Sequence, residues 1–349
     1  MKKKQALIYL LLLWLVLVLS SPTQAQTGPG KSPLMVPPPE ARLQRQDPFQ
    51  VTSLPDEVRG KTEPAPMPLF TPQGEPRTAP ETVRGGEVRS YPSSPGQGPF
   101  PPSVRPAGTY SEPIPRAWAC PASGYQQGLE YDYESFPNRV IGLVVAETPE
   151  GTVHCSGAII HQDLVLTAGH CVSRDGVWFS SIRFYPGYQQ GYSYGEWQTK
   201  WATAYDQWRI EGRWDMDLAI LVMWPNGGWR IGDALGHLGF MTNVDFTTKS
   251  WTQYGYPVNA GEGQVLCRVQ SAYGHHWSGQ YSATIGVGSG MREGCSGGPW
   301  LLSPNSHTYA NGINSHFLIS GPHACQETMY SPEFNDYAWD LAQFALSLD

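Results

Sequence analysis

The chain has 349 residues, a formal net charge of −7 and six cysteines. That length allows one to three domains, and with no dense basic stretch beyond the first few residues there is no electrostatic footprint for nucleic acid. No Cys-x-x-Cys pair occurs, which argues against zinc, and no Asn-x-Ser/Thr acceptor occurs, so N-glycosylation is not expected.

Lys2, Lys3 and Lys4 precede an apolar run from Ala6 to Leu19, followed by Ser20-Ser21-Pro22-Thr23-Gln24-Ala25. A charged start, a short apolar stretch and small residues after it predict a secretory signal over residues 1–25. The competing reading is a membrane anchor, but the run falls short of the roughly 20 apolar residues that a span needs. No cysteine follows it, so a lipid anchor is not expected either. Export places the chain in an oxidising compartment, where an even number of cysteines reads as disulfides.

Residues 26–116 hold about two-thirds of the 32 prolines and few aromatics. Pro37-Pro38-Pro39 and Pro64-Ala65-Pro66-Met67-Pro68 are examples. Such a stretch cannot bury enough apolar area to offset its ordering entropy, so a disordered propeptide, linker or spacer is expected.

Composition shifts near Ala117-Trp118-Ala119-Cys120, and residues 117–349 are rich in Trp, Tyr and Gly. Short apolar runs recur between turn residues: Val140–Val145, Ala158–Ile160, Leu164–Leu166, Ile182–Tyr185, Leu218–Met223, Gly298–Leu302 and Ala310–Ile313. They predict strands of an antiparallel all-β domain. Only Asn335–Leu348 shows helical spacing, with Tyr337, Leu341, Phe344, Ala345 and Leu348 on one face. Core and inter-strand packing account for most of the tryptophans, Trp197, Trp201, Trp208, Trp214, Trp224 and Trp229 among them, since aromatics favour strands. A carbohydrate- or peptide-binding aromatic surface is the alternative.

Three segments carry chemistry: Leu166-Thr167-Ala168-Gly169-His170-Cys171, Asp217-Leu218-Ala219-Ile220-Leu221 and Gly294-Cys295-Ser296-Gly297-Gly298-Pro299. They supply a His, an Asp and a Ser. A Ser hydroxyl becomes a good nucleophile when a His takes its proton and a buried carboxylate orients that His. Gly-Cys-Ser-Gly-Gly also fits the G-x-S-x-G elbow of α/β-hydrolases, but there the His follows the Ser, and here it precedes it. Asp215 shares a strand face with Asp217 and reads as a solvated turn carboxylate.

These segments, with His154-Cys155-Ser156-Gly157-Ala158, resemble the chymotrypsin-like serine protease family. The resemblance implies two packed antiparallel six-stranded β-barrels with a C-terminal helix. It further implies a catalytic triad of His170, Asp217 and Ser296, an oxyanion hole from the Gly294 and Ser296 amides, and a Cys155–Cys171 disulfide. For Cys120, Cys267, Cys295 and Cys325 three pairings are open. The favoured one joins Cys267 to Cys295 and Cys120 to Cys325, and a free, reactive Cys295 is the alternative.

Trypsin-like enzymes carry an Asp just before the nucleophile, where this chain has Cys295, so Arg139-Val140-Ile141-Gly142 does not read as an activation site. Phe136-Pro137-Asn138-Arg139-Val140, Phe184-Tyr185-Pro186-Gly187, Gly255-Tyr256-Pro257 and Gly298-Pro299-Trp300-Leu301 look more like the glutamyl endopeptidase branch. Gly290, at the family's specificity position, does not support cleavage after Lys or Arg, and Ser315 with His316 are candidates to receive an acidic substrate side chain. The expectation is a secreted, monomeric serine endopeptidase acting on protein or peptide, with no metal, cofactor or stable membrane anchor. Two alternatives stand: a non-catalytic binding protein on the same scaffold, and a processing protease recruited through its Pro-rich region.

Overall fold

The computed structural model describes residues 87–98, 124–279, 282–318 and 325–348, together with the two-residue strands Thr52–Ser53, Glu63–Pro64 and Leu69–Phe70. The expected signal over 1–25, the 116/117 boundary and Cys120 lie outside the described residues.

Six strands build the first half: β1 Ile141–Thr148, β2 Gly151–Ile159, β3 Leu164–Thr167, β4 Ser180–Pro186, β5 Trp197–Ala204 and β6 Ala219–Met223. They pair antiparallel in the order β2-β1-β4-β5-β6-β3, and β3 returns to β2, so the sheet closes into a barrel. Closure gives the β-branched runs an interior to fill, and the N-terminal part of β2, which β3 does not cover, is paired instead by Glu63–Pro64 at Val153–His154. Val145, Ile159, Leu166, Phe184, Trp197 and Ile220 are all fully buried there. Val140 precedes β1 in a short 3₁₀ turn, Asn138–Val140, so the strand starts one residue later than the apolar run.

The second half comprises β7 Gly239–Thr242, β8 Ser250–Gly255, β9 Leu266–Gly279, β10 Ser282–Gly288, β11 Pro299–Leu302, β12 Tyr309–Ile313, β13 His316–Leu318 and β14 Cys325–Pro332. Their order is β13-β14-β10-β9-β8-β11-β12-β7, with Tyr125–Glu130 added alongside β9. Two closed six-stranded barrels were expected, and only the first closes by a ladder among the described residues. In the second, no ladder joins β12 to β13 among the described residues, and covalent continuity through Asn314 and Ser315 links them. Trp251, Val269, Val287, Met291 and Trp300 fill its interior.

The Asp336–Leu346 helix, α1, is capped by Asn335, whose Oδ1 accepts from the Tyr337 N–H at 3.0 Å. Its buried face is Ala338, Leu341, Ala342 and Ala345, packed over β5, β6 and β7, whereas Tyr337 is exposed. The expected face is rotated because small alanines, rather than the aromatics, let the helix approach the barrel closely.

The disorder expected for 26–116 does not hold at 87–98. Arg89–Tyr91 pairs antiparallel with β7, and Tyr91 packs on Phe240, His161 and Trp339. Ser94 bridges His237, and the Arg139 guanidinium donates to the Pro95 carbonyl at 2.6 Å. Tyr91 gives this stretch an aromatic ring to bury, and β7 gives it an open strand edge to pair with. No helix among the described residues is long and apolar enough to cross a membrane.

Candidate active site

His170 lies in a 3₁₀ turn, Gly169–Cys171, directly after β3. The Cys155–Cys171 disulfide ties that turn to β2. The sulfurs and His170 converge within 4.8 Å, but the sulfurs are bonded to each other and offer no thiolate to a metal. Asp217 ends another 3₁₀ turn, Trp214–Met216, two residues before β6. Because β3 and β6 are adjacent strands, the two turns meet at one end of the barrel.

Asp217 is wholly buried. One of its oxygens accepts from the His170 backbone N–H at 2.8 Å, and the other lies 2.9 Å from His170 Nδ1. Burial alone would push this carboxyl up. The His170 charge, and hydrogen bonds from the His170 ring, the Ser315 hydroxyl and the His170 backbone, outweigh that and hold it below the usual carboxylate range. Asp215 does not reach His170. It is not solvated either, because Arg213 grips it with bonds of 2.6 and 3.1 Å. Trp208 meets the His170 ring edge-on at 6.1 Å.

Ser296 stands in the loop before β11, pressed against the His170 turn. Its carbonyl accepts from the Ser156 N–H at 2.7 Å and lies 3.7 Å from Cys171 Sγ. Gly297, at φ +79°, is needed there, since a Cβ would fall 2.2 Å from Thr167 Oγ1. Gly294, at φ +90°, has Tyr256 O and His154 Nε2 within 2.7 Å of its would-be Cβ. The Gly294 and Ser296 amides donate to no other described residue. His170 Nε2 and Ser296 Oγ are buried and likewise have no partner among the described residues.

Sequence reasoning overlooked the residues that hold this loop. Ser156 Oγ donates to the Gly294 carbonyl and accepts from the Tyr256 N–H, each at 2.9 Å. The Asn314 side chain donates to the carbonyls of Tyr254 (2.8 Å) and Cys295 (3.1 Å) and accepts from Trp300 Nε1. The only hint was their place beside the quoted motifs.

Three expectations are corrected. Ser315 does not hold its hydroxyl free for a substrate, because it donates to Asp217 Oδ2 at 2.5 Å. His316 is buried, stacked on Tyr330 and tilted against Trp214, with Nδ1 2.9 Å from Ser315 Oγ. Burial pushes its pKa down to about 3, which Asp217 only partly offsets, so it is neutral and cannot receive a carboxylate as a cation. Cys267 and Cys295 are not joined to each other; both are buried free thiols. Gly255 faces both: it is the register partner of Cys267, and a Cβ on it would fall 2.7 Å from Cys295 Cβ. Burial pushes the Cys267 thiol up to about 12 and Cys295 well above its usual range, so neither is a thiolate near neutrality. Cys325 is disulfide-bonded.

Gly290 is backed by Gln127, whose Oε1 accepts its N–H at 3.1 Å, and by the Tyr125 hydroxyl, 2.8 Å from where its Cβ would be. Arg139 and Val140 are buried, consistent with the reading that this bond is no activation site.

Comparison with solved structures places the fold. The protease Anisep from Arthrobacter nicotinovorans is 29% identical, with a TM-score of 0.52 over 59% of this chain and 95% of its own. A thermostable serine protease, AL20, from an extremophilic microorganism is 27% identical, with a TM-score of 0.53 over 60% of this chain and 98% of its own. A Glu endopeptidase is similar in fold, at 15% identity and a TM-score of 0.50 over 63% of this chain and 95% of its own. No curated protein matches the sequence. The family model described as Trypsin matches residues 127–338, more than half of the chain. With that match, an all-β fold shared with serine proteases and the chemistry-bearing segments gathered at one place, the chain belongs to the trypsin family of serine endopeptidases.

Proposed function

We propose that the protein is a secreted endopeptidase that cleaves peptide bonds through an acyl-enzyme on Ser296. His170 takes the Ser296 proton through Nε2 as Oγ attacks the scissile carbonyl, then returns it to the leaving amine. Asp217 fixes the tautomer with the proton on Nδ1 and stabilises the imidazolium. The Gly294 and Ser296 amides receive the oxyanion, where one such donor is worth about 10²–10³ in rate.

The observation that carries this reading is the division of labour around His170. Nδ1 is committed to a buried, ionised Asp217, while Nε2 and Ser296 Oγ both have no hydrogen-bond partner among the described residues. Secretion rests on the Lys2–Lys4 charge and the apolar run Ala6–Leu19, with the signal removed near Ala25. Ser315 and His316 support Asp217 and supply no cation, so a preference for acidic substrate residues draws no support from them.

Exposure to an organofluorophosphate, followed by peptide mass analysis, tests the mechanism. An adduct on Ser296, absent from Ser296→Ala along with peptide cleavage, is the expected result. Cleavage undiminished in Ser296→Ala would sink it.

A further inference from the structure

A nucleophile must be reachable, yet Ser296 is 0% exposed and His170 3%. Two described pieces of the Pro-rich region lie on the structures flanking them. Glu63–Pro64 pairs in parallel with Val153–His154 of β2, and His154 Nε2 lies 2.7 Å from the Cβ position of Gly294, in the loop that carries Ser296. Leu69–Phe70 pairs in parallel with Phe317–Leu318 of β13. The other side of β13 belongs to β14, so this pairing occupies the remaining edge. That edge begins right after Ser315, whose hydroxyl holds Asp217.

An extended peptide binds most readily by adding a strand to an open sheet edge, and the edge next to Ser315 and Asp217 is already taken. Between the two docked pieces the sequence reads Ala65-Pro66-Met67-Pro68. Extended chain of that length spans at most about 17 Å, so the pieces bracket a narrow gap, with one on each half of the molecule. Downstream, residues 87–98 are clasped to β7, His237 and Arg139, which keeps the docking segment tethered. A tether of this kind gives effective concentrations on the order of millimolar.

We propose that Glu63–Pro64 and Leu69–Phe70 form a built-in inhibitor that holds the substrate-side edge of β13 and keeps the enzyme latent. The inhibitor rests on the reading of Ser296 as nucleophile. Loss of its strand pairing frees the edge, while the 87–98 clasp stays with the enzyme as part of its body.

The test uses the full chain and the double variant Leu69→Pro/Phe70→Pro, in which each proline removes an N–H that the ladder could use. Two readouts are taken: amide hydrogen exchange of the peptide holding Phe317 and Leu318, and the rate of fluorophosphonate labelling at Ser296. Faster exchange, together with labelling accelerated at least about tenfold, is expected. Unchanged exchange, or measurable labelling at equal rates in both chains, overturns the inhibitor and leaves the nucleophile standing. Faster exchange with no labelling in either chain overturns the nucleophile, and the inhibitor with it.

Discussion

His316→Phe isolates a proton-linked term in stability. His316 is buried behind Asp217, and its pKa is pushed from the usual value near 6.5 to about 3. The folded protein therefore refuses a proton that the unfolded chain accepts, so the unfolded state binds more protons between those two values. Stability contributed by neutral His316 is complete above pH 6.5 and is lost as pH falls toward about 3. At pH 4.5 the pH is two units below the unfolded histidine's pKa while the folded one is still neutral, so the loss is about 3 kcal/mol. Phenylalanine keeps a ring against Tyr330 and Trp214 and removes the titration. Urea unfolding of both proteins at pH 7.0 and 4.5 measures it. The wild-type unfolding free energy extrapolated to water should fall by about 2–3 kcal/mol more than that of the variant. A difference below about 0.5 kcal/mol would refute the reasoning, because His316 would then be taking up its proton in the folded state.

Asp217→Asn should leave the fold intact and lower kcat by about 10⁴, since an amide selects the wrong His170 tautomer; steady-state kinetics on a peptide substrate checks this. Gly294→Ala meets Tyr256 O and His154 at a positive φ, so it should cost about 1–2 kcal/mol in a melt. Displacing one oxyanion amide should also lower kcat by about 10²–10³. Arg139→Met leaves the buried guanidinium's acceptors, the carbonyls of Leu235 and Pro95 among them, unsatisfied. A loss of about 2–4 kcal/mol in denaturant unfolding is expected, with faster amide exchange across 87–98.

Most of the first barrel could be read from the chain because its strands are continuous apolar runs such as Leu164–Thr167 and Ala219–Met223, buried at every position, whereas β5, Trp197–Ala204, was missed because polar residues interrupt its apolar ones. The strands β8, β9, β10 and β14 were missed because they bury polar side chains that pair across the sheet. Gln253, for example, donates to Ser271 Oγ at 2.8 Å and to the Gly288 carbonyl at 2.9 Å. Hydropathy sees such residues as surface, whereas a satisfied hydrogen bond lets them lie inside.

By itself the sequence determined the kind of fold and where its reactive groups stand along the chain, because local motifs fix local geometry: the His turn after a strand, the Asp before one, the Ser between glycines. Only the tertiary structure decided what each side chain faces. Ser315 and His316 read as substrate-binding residues in sequence, but the Ser315 hydroxyl turns to Asp217 once β13 takes its place beside β14. Cys267 and Cys295 were a plausible pair by count, yet they pack as separate buried thiols. Residues 87–98 looked unfoldable by composition and find an open edge on β7 to pair with. Burial and edge pairing depend on contacts between residues far apart in the chain, and no local pattern encodes them.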